Sequence, residues 1–77
     1  MWTYATDKAL VKHFEGVNIF NSARKEIGST KVLDPTYGNE LIARVFEVEI
    51  NGRRKEFATA EACSSVFIYF IPSQQDS

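Results

Sequence analysis

The single cysteine and the single histidine of this sequence invite a nucleophile–base reading. Cys63 could supply a thiolate nucleophile and His13 the base that activates it. That arrangement needs a third group to orient the imidazole, and no Asn or Asp is placed by any pattern to do so. Three carboxylates, Glu47, Glu49 and Glu56, could share acid–base work or hold a hard cation. Either task needs them partly out of water, which an exposed strand face does not provide. Arg53, Arg54 and Lys55 form a basic run, supported by Arg24, Lys25 and Arg44, that could meet phosphates. Trp2, Tyr4, Tyr37 and Tyr69 are the residue types that anchor protein interfaces. The expectation is a non-catalytic chain with no metal and no cofactor.

The element that positions these groups is a hairpin over about residues 40–58. Leu41 to Ile50 alternates apolar and polar, Asn51-Gly52 follows, and a second strand-like run opens at Arg53. Asn-Gly between such runs is the strongest local hairpin signal, because a type I′ turn needs positive φ at both central residues. A two-residue turn sets Ile50 opposite Arg53, Glu49 opposite Arg54, Val48 opposite Lys55, Glu47 opposite Glu56 and Phe46 opposite Phe57. One face then carries Ile42, Arg44, Phe46, Val48, Ile50 and Phe57, and is expected to be core. The other carries Glu47, Glu49, Arg54 and Glu56, with Leu41, Ala43, Val45 and Ala58 nearer the base, and is expected to be mostly solvated. Burying each Phe is worth roughly 1.5–3 kcal/mol, more than the surface ion pairs opposite can supply. Leu41, Ala43 and Val45 together with an exposed Ile68–Tyr69 edge would make an apolar docking patch.

Thr59 is placed to cap a helix over about 59–70, with Ala62, Cys63, Val66, Phe67 and Phe70 on one stripe and Pro72 ending it. The β-branched and aromatic composition of Val66 to Ile71 argues for a strand instead, and the matched period decides for the helix. Cys63 then sits on a buried stripe, where cysteine behaves as a small hydrophobe. Thr6 can cap a short helix over about 7–15. Residues 1–5 read as a short edge strand or a loose end. Residues 17–27 read equally as a strand followed by a turn or as a continued helix. Lys31 to Leu33 is a short strand, residues 35–39 are a loop, and Ser73 to Ser77 make a polar tail that frays. The expected architecture is α+β: an antiparallel sheet of three or four strands with the central hairpin covered by the C-terminal and N-terminal helices.

Length and charge narrow the function classes. Seventy-seven residues make one domain, and nine Lys plus Arg against ten Asp plus Glu lack the basic excess of a polyanion binder. One Cys excludes an internal disulfide, and one Cys with one His excludes an ordinary four-ligand zinc site in one chain. The apolar run Val66 to Pro72 is too short to cross a bilayer. Met1-Trp2-Thr3-Tyr4 lacks the form of a signal peptide, so a cytoplasmic location is expected.

Over Arg44 to Phe70 the order of strand, Asn51-Gly52, Arg53-Arg54-Lys55-Glu56-Phe57, Ala58-Thr59-Ala60-Glu61-Ala62 and helix resembles the arm-type DNA-binding domain of phage tyrosine integrases. The resemblance implies a sheet that enters the major groove, with Arg54 at a DNA-contact position and Arg53 and Lys55 beside it. Glu47, Glu49 and Glu56 would share that side and repel phosphate. The same order is similar to small phage anti-CRISPR proteins, compact blockers of a nucleic-acid-handling complex. The leading expectation is therefore a module that occludes a partner protein, using Glu47, Glu49, Glu56 and Arg54 for charge and Tyr69, Tyr37 or Trp2 for anchorage, with a homodimer left open. DNA binding is the alternative, and a cysteine-dependent enzyme a distant third.

Overall fold

The computed structural model describes residues 1–63 and 65–73; the polar tail from Gln74 lies outside the described residues. Five antiparallel strands form one sheet: β1 (Trp2–Ala5), β2 (Arg24–Leu33), β3 (Glu40–Ile50), β4 (Arg53–Cys63) and β5 (Val66–Pro72), in the order β1-β5-β4-β3-β2. A single short helix, α1 (Asp7–His13), and a 3-10 turn at Ile19–Asn21 fill the crossover from β1 to β2. The chain is thus mostly β. The helix expected over 59–70 does not form: its first part continues β4, and Val66 onward returns as β5. Strand pairing with β4 and β1 gives Val66 to Ile71 the half-buried pleated setting that its β-branched and aromatic residues favour.

The hairpin itself is as read. Asn51 and Gly52 have φ of 52° and 80°, and β3 and β4 pair Ile50 with Arg53, Glu49 with Arg54, Val48 with Lys55, Glu47 with Glu56 and Phe46 with Phe57. Thr6 caps α1, its Oγ1 accepting from the Ala9 N–H at 3.2 Å. Residues 1–5 supply edge strand β1, zipped in register along β5 from Trp2–Pro72 to Ala5–Tyr69. Residues 17–27 follow neither reading, since the 3-10 turn takes the middle and β2 begins at Arg24. That strand runs ten residues, not three, with a bulge between Glu26 and Gly28.

Each sheet face buries one half, and the buried halves lie diagonally across the sheet. On what we term the aromatic face, the half toward the Asn51-Gly52 corner packs Val48, Ile50 and Phe57 against Phe14 of the α1 end and Ile19 of the 3-10 turn. Phe57 stacks on Phe46 at 5.4 Å and meets Phe14 edge-on at 5.7 Å, an arrangement ring quadrupoles favour. On the opposite, alanine face, the half away from the corner packs Val32, Ala43, Val45, Ala58, Ala60 and Phe70, with Trp2, Leu41 and Ile68 against them. Ala43 and Ala58 are fully buried, although no helix covers them. Edge strands β1 and β2 both contribute to this cluster, through Trp2 and Val32, so the sheet curls onto itself. Small side chains on the inside of the curl let the two edges approach. The expectation that Ala43 and Val45 form an exposed patch is overturned, and Ile42, read as core, is 66% exposed.

Candidate functional site

The sequence-predicted site residues do not form one cluster. Glu47, Glu49, Arg54 and Glu56 share the corner half of the alanine face, as the register requires. Lys25 joins them, paired across from Glu47, and Arg54 Nε lies 4.0 Å from a Glu47 carboxylate oxygen. The patch is therefore of mixed charge. Trp2 packs on the alanine-face core, Tyr69 lies on the aromatic face, and Tyr37 stands 76% exposed on the β2–β3 turn. That turn is set by buried Asp34, whose Oδ1 accepts from the Thr36 N–H at 2.8 Å and whose carbonyl accepts from the Gly38 N–H at 2.8 Å.

The basic run at the corner is held down by an acid. Glu15, just beyond α1, takes a hydrogen bond from Asn51 Nδ2 at 3.0 Å, pairs with Arg53 and sits 3.6 Å from Lys55 Nζ. The Asn51 hydrogen bond, reinforced by the Arg53 and Lys55 charges, holds the Glu15 carboxyl below its ordinary range. Arg53, Arg54 and Lys55 each have a carboxylate neighbour, so the corner is not a bare cationic finger.

Cys63 and His13 are far apart. His13 Nε2 donates to the Glu56 carbonyl oxygen at 3.1 Å, and Cys63 lies seven residues further along β4, about 23 Å at ~3.3 Å per strand residue. Cys63 is exposed at the end of its strand, not buried on a stripe. His13 Nδ1 is buried with no partner, and burial is the main influence pushing the imidazole pKa down; the Glu56 hydrogen bond opposes it and the Lys55 charge adds to it. The described residues hold no cluster of three or more His, Cys, Asp or Glu fit for a metal ion, and no helix long and apolar enough to cross a membrane.

The remaining feature is the half of the aromatic face that α1 leaves bare. Strand pairing brings Ile42 and Arg44 of β3, Thr59 and Glu61 of β4, and Phe67 and Tyr69 of β5 side by side. With Phe20, Arg24 and Phe46 they line an open groove of about 560 Å³. Phe20 is 58% and Phe67 53% exposed, and Phe20 meets Tyr69 edge-on at 5.7 Å. Arg24 lies over Phe46 at 5.4 Å, a cation–π contact that fixes a long side chain. Of these residues the sequence reading named Tyr69 as a protein contact and Arg24 and Arg44 as part of a basic set for phosphate, without bringing them together. The groove exists only if residues 66–72 are a strand, and the β-branched, aromatic composition of Val66 to Ile71 was the available signal. Comparison with known proteins finds no matching family, no matching curated protein and no matching solved structure.

Proposed function

We propose that this chain is a small non-catalytic module that binds another protein through the bare half of its aromatic face. The observation that carries this reading is the group of exposed large apolar residues, Phe20 of the 3-10 turn, Ile42 of β3 and Phe67 of β5, gathered around Tyr69. Exposed apolar surface of that kind costs solubility and marks interaction sites, and aromatic residues with Arg are the types that dominate binding hot spots. The contact surface thus moves from the glutamates to the opposite side of the sheet. Glu47 is already close to Arg54 and across from Lys25, which blunts the field that would steer a partner. The action is steric occlusion of the partner's surface.

The test is a paired capture from one lysate. Wild type and Glu47→Lys/Glu49→Lys should retain the same partner in the same ratio, and Ile42→Ser/Phe67→Ser should lose it while keeping the wild-type circular dichroism spectrum. Loss on the glutamate variant with retention on the apolar one would return the site to the alanine face.

A further inference from the structure

The charges around the groove state what kind of segment it takes. Arg24 and Arg44 both line it, and among the described residues neither makes an ion pair with a carboxylate. The one acid in the lining, Glu61, already accepts a hydrogen bond from the Ser65 N–H at 3.0 Å. Arg24 is held over Phe46 and, at 6.0 Å, over Phe57, and Arg44 follows two residues before Phe46 on the same face of β3. Two guanidinium groups thus line a partly apolar groove, and among the described residues neither has an ion-pair partner. Guanidinium forks match carboxylates in a paired geometry.

We infer that the groove takes an acidic segment of a partner protein, its carboxylates on Arg24 and Arg44 and an apolar side chain against Phe67 and Ile42. This rests on the protein-binding reading above and gives the partner its chemistry. Phosphate would suit the same arginines, and Phe20 and Phe67 are open, but Phe46, the ring beneath Arg24, is not disposed to stack a base. Phe46 lies between Arg24 and Phe57, and base stacking needs an open ring face. A nucleic acid carries a charge at every residue and would also meet Glu26 opposite Phe46 and Glu61 opposite Phe67, whereas a peptide can set its carboxylates at the arginines and uncharged residues at the glutamates.

The experiment is an amide chemical-shift titration of the full chain with three probes. They are the peptide acetyl-Glu-Phe-Glu-Glu-Phe-amide, its counterpart with Lys for each Glu, and a single-stranded oligodeoxythymidine. The acidic peptide should shift Arg44, Phe46, Phe67 and Tyr69, with an affinity about tenfold above that of the basic peptide. Arg44→Glu, an exposed position, should abolish that preference. Equal binding of the two peptides in the groove overturns the acidic preference and leaves the protein-binding face standing. Failure of both to shift groove residues removes both readings, as does tighter binding of the oligonucleotide there. A concentration-dependent dimer shifting the same amides, seen by sedimentation without any peptide, would assign the groove to a second copy.

Discussion

Phe57 and Phe67 lie on the same face of the same sheet, and the fold assigns them opposite fates. Phe57 has no exposed surface and touches Phe46, Phe14 and Tyr69; Phe67 is 53% exposed beside the groove. Replacing a buried Phe with Ala costs about 3–5 kcal/mol, through lost transfer energy and the cavity left behind. Full burial of a Phe is worth about 1.5–3 kcal/mol, so Phe67→Ala, at about half burial, should cost about 1 kcal/mol. A 77-residue domain has about 4–12 kcal/mol in total. Phe57→Ala should therefore remove about a quarter or more of the stability, and Phe67→Ala a minor part. Urea unfolding followed by circular dichroism reads both; with a slope of about 1 kcal/mol per molar, the midpoints should fall by about 3 M or more and by about 1 M. Equal losses would mean that Phe67 is roofed by packing, and the idea of a bare half-face would fail.

Three further outcomes follow from the same geometry. Because burial lowers the His13 pKa, the unfolded chain binds that proton first, so stability should be full above the unfolded value of 6.5 and fall as pH drops below it. Thermal melts from pH 7.5 to 5 should show that decline, and His13→Gln should flatten it. Glu47 directly faces Glu56, a like-charged cross-strand pair, so Glu56→Lys should stabilise the hairpin by about 0.2–1 kcal/mol, seen as a raised urea midpoint. Gly52, at φ 80° with open space around its Cα, should lose about 1–2 kcal/mol on substitution by Val from backbone strain alone, measured the same way.

The hairpin was legible because its turn chemistry and its alternation agreed, and each fixed the same register. The C-terminal half misled because alanine favours helices in isolation. Ala58, Ala60 and Ala62 alternate with Thr59 and Glu61, a strand pattern written in a helix former, and Ala58 and Ala60 are buried on the inside of the curl. The bulge between Glu61 and Cys63 then shifts the phase, so the spacing onward to Phe70 imitates a helical stripe. Strand β2 was hard to see for a different reason. As an edge strand it is exposed at almost every position and carries no apolar alternation. The groove was hidden because it is made by β3, β4 and β5 together, and misreading one of them removed it. The acidic residues were placed correctly, yet their cations came from Lys25 and Arg54, and pairing across β2 could not be known before β2 was.

The irregularity at Ile27 on β2 has a bearing on how this molecule behaves in a crowded solution. An outermost strand of that length, lying flat, would be a template on which neighbouring molecules could add their own backbones end over end. The offset between Glu26 and Gly28 interrupts the regular spacing of its unpaired amides, and Arg24, Lys25 and Lys31 crowd either side of the break with charge. The chain can thus leave sticky rings open to the outside on one surface while its β2 border stays a poor template for fibrils.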